Sequence, residues 1–293
     1  MNDTMKSRTE RDEGADALLS RLDDLCDRAS RGEVAVSPFL TPREVRLCRR
    51  HLSARLSSGI AVMVGGYSHA ERMRAVILPD YMESLCDATA LAADPVATLL
   101  QAGFGELATV VQDAARLLSV RGSGYRALSH RDYLGSILGL GLDRDAIGDI
   151  LVVNGGEETN PADPPEAYVV TSAPMAVFLL QHLEKVATDT ARVAEVAETV
   201  VPPERTLQPI ADTVASPRVD CVVAALCNLS RDRAQTAIRQ GLVELDYEPI
   251  TDCDDIVVPP ATLSVRGFGK FVIHRIGDTT RKGRLRLLAG KYM

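Results

Sequence analysis

Arginines crowd the start of one predicted helix. Ser230 precedes Arg231, Asp232 and Arg233, Arg239 follows two turns on, and Gly241 closes the segment. A serine N-cap accepts a backbone N–H of the first turn, and a glycine after the last turn supplies the left-handed residue that ends a helix. The start of a helix is partially positive, so two arginines in its first turn sit where acids are favoured. A phosphate held there resolves the conflict, because free N–H groups and both guanidinium groups can donate to it. Asp232, between the two, is placed to orient one guanidinium. Ordinary surface ion pairs are the other reading of the same residues.

The charge distribution favours the phosphate. The 293-residue chain has a net charge of −7, which by itself opposes nucleic-acid binding. From Ala261 to Met293, however, eight basic residues (Arg266, Lys270, Arg275, Arg281, Lys282, Arg284, Arg286, Lys291) face one acid, Asp278, so this stretch carries +7 and the remaining 260 residues −14. One basic edge on an acidic body is the pattern of a protein that meets a polyanion on one side.

Other chemistries find little support. The six cysteines are scattered without a C-x-x-C pair, and none of the five histidines has a second ligand at i+3 or i+4, so neither a metal nor a cofactor is expected. Phosphate-cradle and nucleophile-elbow patterns are missing. Gly122-Ser123-Gly124 comes nearest to a cradle but lacks the lysine and the following hydroxyl residue. His130-Arg131-Asp132 resembles a kinase catalytic loop only superficially; His130 and Arg131 are better placed to start a helix or to add a second RNA contact. With no tryptophan and 4% aromatics, the cores must be aliphatic and an extended base-stacking platform is disfavoured. No run of about 18 apolar residues is available for a membrane span, and the polar N-terminus carries no signal-peptide core, so a cytoplasmic location is expected.

The elements that position these residues follow from periodicity. A helical region over 14–58 is interrupted at Gly32–Pro38, with Thr41-Pro42-Arg43-Glu44 as a helix start. Short strands are predicted at 60–64 and 74–78, and helices over 82–115. From 116 to 197 the order is strand, helix, strand, strand, helix, strand, which matches a ferredoxin-like split βαβ unit; Asn154–Pro165 is a polar loop. The second of those helices is predicted over Pro174–Val186, with Val177, Phe178, Leu180 and Leu183 inward. Pro202–Pro209 reads as a linker. A compact module follows: helices over 218–227 and 231–240, strands at 243–246, 256–258 and 262–266, and a terminal hairpin at 269–276 and 284–288.

Arg218-x-Asp220, Asn228-x-Ser230-Arg231-x-Arg233-Ala234, Ile238-Arg239-x-Gly241-x-Val243 and Ser264-Val265-Arg266-Gly267-Phe268-Gly269-Lys270-Phe271 together resemble the S4 RNA-binding domain. Gly65-Gly66-Tyr67 with Ala70-Glu71-Arg72, and Ser129-His130-Arg131-Asp132-Tyr133-Leu134-Gly135 with Gly148-Asp149-Ile150-Leu151-Val152, narrow this to a resemblance to the YlmH family of S4 proteins, covering most of residues 38–290. The chain departs from the family at Val258-Pro259-Pro260-Ala261-Thr262, where a Gly-Asp turn is usual, and in the length of the stretch from Glu83 to Ala115.

The resemblance implies an α+β protein with an N-terminal α/β region (1–80), a ferredoxin-like (RRM-like) middle domain with a helical insert (81–200) and a C-terminal S4 (αL RNA-binding) module (210–293). It implies a non-catalytic, ribosome-associated protein of translation quality control that binds structured RNA (rRNA, with tRNA as a further candidate) on the large ribosomal subunit. Nothing in the sequence demands more than a monomer. Carried over by position, the RNA contacts are Arg218, Ser230, Arg231, Arg233 and Arg239, with Arg266 and Lys270 as additions. The alternative is an RNA-modifying enzyme of pseudouridine synthase or methyltransferase type that uses the S4 module to hold its substrate; a third reading is a protein-interaction adaptor.

Overall fold

The computed structural model describes residues 2–124, 126–153, 166–196 and 207–292, with the backbone alone for 2–12. The expected loop at 154–165 lies outside the described residues. The chain forms two compact units, one spanning Met5–Glu204 and one containing Arg205–Met293.

The first unit opens with α1 (Asn2–Ser30), β1 (Ala35–Val36), α2 (Pro42–His51), α3 (Ser53–Ser57), β2 (Ala61–Val64) and β3 (Arg74–Ile77). α2 starts where the sequence predicts. Glu44 N–H donates to Thr41 Oγ1 and the Glu44 carboxylate accepts from Thr41 N–H at 2.7 Å, a reciprocal capping box with Pro42 in the first turn. β1, in the stretch read as a break, pairs with β3 in a three-stranded sheet of order β1-β3-β2. Alternation sorts β3 onto two faces. Ala75 and Ile77 turn toward Leu18, Leu22, Val45 and Cys48 of α1 and α2. Val76 turns the other way, toward α4 (Ala88–Ala93), α5 (Pro95–Gln101) and α6 (Gly105–Ala114). The helical insert, expected with the middle domain, therefore covers the second face of the N-terminal sheet, which would otherwise expose Val62, Val64 and Val76.

β4 (Arg116–Gly122), α7 (His130–Leu138), β5 (Ile147–Val153), β6 (Glu166–Thr171), α8 (Ala173–His182), β7 (Lys185–Val186) and β8 (Asp189–Glu195) follow. Their sheet has the order β5-β6-β4-β8-β7, antiparallel throughout. The first four strands have the ferredoxin-like order, with Tyr133 and Ile137 of α7 and Ala176 and Leu179 of α8 buried on one face. α8 is shorter than predicted and its inward face is shifted: Leu183 and the partly buried Phe178 pack on the core as expected, but Ala176 and Leu179 take the inward places given to Val177 and Leu180, which are 51% and 39% exposed. Its sequence, APMAVFLLQH, has almost no polar residue to mark a solvent face, so periodicity alone cannot fix its phase.

The second unit runs β9 (Leu207–Val214), α9 (Val219–Leu226), α10 (Arg231–Arg239), β10 (Val243–Leu245), β11 (Glu248–Pro249), β12 (Ala261–Val265), β13 (Gly269–Thr279) and β14 (Leu285–Tyr292). One antiparallel sheet of order β11-β10-β12-β13-β14-β9 carries both helices on a face built from Val219, Val223, Ile238, Leu263, Phe271, Ile273 and Leu287. Residues 207–209, predicted as linker, belong to β9, which pairs along the whole of β14. The strand predicted at 256–258 reduces to one bridge, Arg218 to Ile256. Only Val257 of the three is buried, so a longer strand would gain no core contact.

Two motifs of the first unit meet in a buried joint. Asp149 of β5 accepts from Tyr67 Oη at 2.6 Å, Glu71 N–H at 2.7 Å and Arg72 N–H at 3.4 Å. The buried Arg72 donates to the carbonyls of Phe39, Arg144 and Ile147. Burial lowers the pKa of Arg72, and burial with the neighbouring Arg72 charge brings Arg144 down to about 10. Glycines let the two segments approach: a Cβ on Gly65 would lie 2.2 Å from the Ala70 side chain, and one on Gly148 would lie 2.9 Å from both Phe39 and Val170. Gly65-Gly66-Tyr67, Arg72 and Gly148-Asp149 thus tie the N-terminal α/β region to the middle sheet.

Candidate nucleic-acid interface

α10 is framed as its sequence predicts. Ser230 Oγ accepts from Arg233 N–H. At the other end Gly241 has a φ of +68°, and Gly241 N–H and Leu242 N–H donate to Ile238 and Ala237, a Schellman closure. Ala234 and Ile238 face the core, so the arginines are turned outward.

The structure separates arginines that the sequence groups together. Arg218, the N-cap residue of α9, donates to Asp220 through Nε at 3.2 Å and Nη2 at 3.0 Å. Arg231 Nε donates to the same carboxylate at 3.0 Å and Gln235 Nε2 at 2.8 Å. Arg218 also pairs with Asp254. Burial opposes the charge of Asp220, but the bonds from Arg218, Gln235, Arg231 and Cys221 outweigh it and hold its carboxyl well below the usual carboxylate range. The bonds to Asp220 raise the pKa of Arg218 and Arg231 in turn. Two guanidinium and two carboxylate groups here cancel one another. The residue that orients the guanidiniums is Asp220, not Asp232. The signal was present in the sequence, as an acid at the second position of an otherwise apolar helix, Val219-Asp220-Cys221-Val222-Val223.

Arg233 lies on the other flank of α10, exposed, and its side chain has no hydrogen bond or ion pair among the described residues. Arg266 is equally exposed and without such a partner, in the turn after β12, where its N–H donates to Leu242. Arg239 is exposed but borders a shallow depression lined by Thr251, Asp252, Cys253 and Asp254, so its surroundings are acidic. Lys270 lies between two rings, 4.7 Å from the centroid of Tyr247 and 5.0 Å from that of Tyr292, and these cation–π contacts hold its position.

In the first unit, His130 and Arg131 are exposed in the first turn of α7, behind a Ser129–Asp132 capping box. The face of the middle sheet away from α7 and α8 carries Tyr168 as the single aromatic of the four ferredoxin-like strands, so the aromatic pair of a typical RNA-recognition sheet is not assembled there. The Gly122-Ser123-Gly124 loop is no open cradle: Ser123 donates through N–H and Oγ to the buried Asp189 carboxylate.

These features coincide with what the chain is similar to. The family model described as "YlmH, N-terminal" matches residues 15–82, and the model of the RNA-binding domain in YlmH matches residues 116–199. The chain belongs to the YlmH-like family. This YlmH-like chain is 27% identical over 252 residues to the "Ribosome-associated protein quality control protein P2" of Bacillus subtilis (strain 168), across 86% of its own length and 85% of that protein. A solved structure, "Cell division protein ylmH from Streptococcus pneumoniae", aligns at 17% identity with a TM-score of 0.40, covering 66% of this chain and 93% of that one.

Proposed function

We propose that this chain is a non-catalytic RNA-binding protein that holds structured RNA (rRNA, and tRNA beside it) on the large ribosomal subunit, as a monomer in the cytoplasm, in ribosome-associated quality control. The name of the Bacillus relative supports the setting. The observation that carries the RNA contact is Arg233 at the capped start of α10, exposed and unpaired among the described residues, on a unit whose last 33 residues carry +7. Folded RNA is read through phosphates, shape and 2′-hydroxyls, which suits a rigid helix end flanked by guanidiniums.

Arg233 and Arg266 make the leading contacts in this reading. Arg218 and Arg231, fixed by Asp220, present their outer N–H edges; Ser230, Arg239 and Lys270 complete the surface, and His130 with Arg131 form a lesser second contact. With about five phosphates neutralised, log affinity against log salt has a slope of roughly −3.5 to −4.5.

Co-sedimentation with ribosomal subunits across a salt series tests this. Wild type should pellet with the large subunit in a salt-sensitive way, and the Arg233→Glu/Arg266→Glu variant should lose that binding. Unchanged binding by the variant would remove this surface from the reading, and modified nucleosides appearing in RNA incubated with the pure protein would favour the modifying-enzyme alternative.

A further inference from the structure

The terminal hairpin carries cations that the α10 surface does not use. β14 alternates over Arg286–Ala289: Leu287 and Ala289 are buried, so Arg286 and Leu288 face outward. Directly paired residues on neighbouring strands share a face. Arg286 pairs with Gly277 of β13 and with Thr213 of β9, which places all three on the open side of the sheet. Arg275 pairs with Leu288 on that same side.

Arg284 is fixed there. Its Nε donates to Thr213 Oγ1 at 2.9 Å and its Nη2 to Thr213 O at 2.5 Å. Arg281 and Lys282 form the exposed turn between the strands. Over 269–292 the only acid is Asp278, and it pairs with Arg275 at 3.0 Å. On β9, Asp212 pairs in register with the inward Leu287 and accepts from Thr213 N–H at 2.6 Å. Arg286 therefore has no side-chain partner among the described residues.

The centre of the group is open. A Cβ on Gly277 would meet nothing nearer than Arg275 Nε at 4.0 Å. Arg284 and Arg286, two residues apart on one side, are separated by about 7 Å along the strand. Like charges held that close repel unless an anion lies between them. A nucleic-acid backbone repeats its negative charge at short intervals and can serve several such cations together. The surface also lies near the helix site: Thr213 is five residues before Arg218, so the two are at most about 18 Å apart along the chain.

We infer that the open face of β9, β14 and β13 around Gly277 is a second phosphate-binding surface, formed by Arg284 and Arg286 with Arg281 and Lys282, which grips the backbone of the same RNA at a second point. This rests on the RNA reading above. The RNA is thereby held at two places on one compact unit, and each place contributes its own share of the salt dependence.

The test is the affinity of the full chain for a fluorescein-labelled RNA stem-loop over a salt series. Four proteins are compared: wild type, Arg284→Gln/Arg286→Gln, Arg284→Lys/Arg286→Lys and Arg233→Gln/Arg266→Gln. The hairpin Gln pair should make the salt slope shallower by about 1.4 to 1.8, two phosphates' worth. The Lys pair should keep the wild-type slope, which separates lost charge from a disturbed hairpin. The Arg233/Arg266 pair should flatten the slope independently. Wild-type slope and affinity in the hairpin Gln pair, beside weakened binding in the Arg233/Arg266 pair, would overturn the second surface and leave the RNA reading standing. No stem-loop binding by wild type would overturn both. Loss of ribosome co-sedimentation by the hairpin Gln pair with stem-loop binding intact would give the surface to an acidic protein and overturn the RNA assignment of the hairpin.

Discussion

Two of the buried aspartates, Asp149 in the first unit and Asp220 in the second, show how differently the same residue type can be used. Asp149 is 4% exposed and receives two backbone N–H groups and a phenol from Tyr67, Glu71 and Arg72. It joins two segments of the first unit and presents nothing to solvent. Asp220 is fully buried but receives only side chains, of which Arg231 is 55% and Arg218 30% exposed. Its bonds reach outward and fix where guanidiniums stand at the surface. The first carboxylate is a joint and the second a mount, and the donors decide which: backbone donors lead into the fold, long cationic side chains lead out of it.

The largest effect that would test this contrast is at Asp149. Asp149→Ala leaves the N–H groups of Glu71 and Arg72 and the Tyr67 hydroxyl without their acceptor, at a cost of about 3 kcal/mol. Hydrogen exchange of the Glu71 and Arg72 amides in the full chain should quicken strongly while RNA affinity is kept. Protection retained at those amides would show that the joint does not depend on this carboxylate.

Asp220→Asn comes next, at about 2 kcal/mol, since the partly exposed arginines it releases can turn to water. Here RNA affinity should fall together with stability, because the arginines lose their mount. The pH dependence has a definite sign. The folded pKa of Asp220 lies below the ordinary carboxylate value, so its contribution is present above about pH 4 and is lost as pH falls through the folded value. Acid titration of the second unit's unfolding should therefore be steeper in wild type than in the Asn variant. Identical acid limbs would remove Asp220 as the source.

The smallest effect concerns a buried polar atom with neither arrangement. Tyr133 Oη of α7 is buried without a hydrogen-bond partner among the described residues, and burial pushes its pKa up to about 12. Tyr133→Phe removes an unsatisfied group and should leave stability unchanged or raise it by about 1 kcal/mol in a thermal melt. A clear loss would reveal a partner for that hydroxyl.

Where the sequence carries local signals, it was legible. The helix start at Thr41, the Ser230 cap and the Gly241 closure all stand as read, because each depends on residues within one turn. The strand and helix order of the middle domain was also readable from periodicity. In α8 only half of the expected face was right, Phe178 and Leu183 but not Val177 and Leu180, because polar residues are too few to mark a face. β9 was missed because only Val214 of its eight residues is buried; it exists through pairing with β14, more than seventy residues away.

For the site, sequence alone determined the inventory: a capped helix with arginines in its first turn, and a net +7 in the last 33 residues. It could not say which of those arginines are committed. Arg231 and Arg233 are two residues apart and identical in type, yet Arg231 is neutralised by Asp220, eleven positions earlier, and Arg233 is not. The same holds for Arg286, whose place on an open face follows from registers with Gly277 and Thr213. Caps and charge counts are local sums along the chain. Pairing of charges depends on distances in space, which fall into place only when α9 packs beside α10 and β9 closes the sheet.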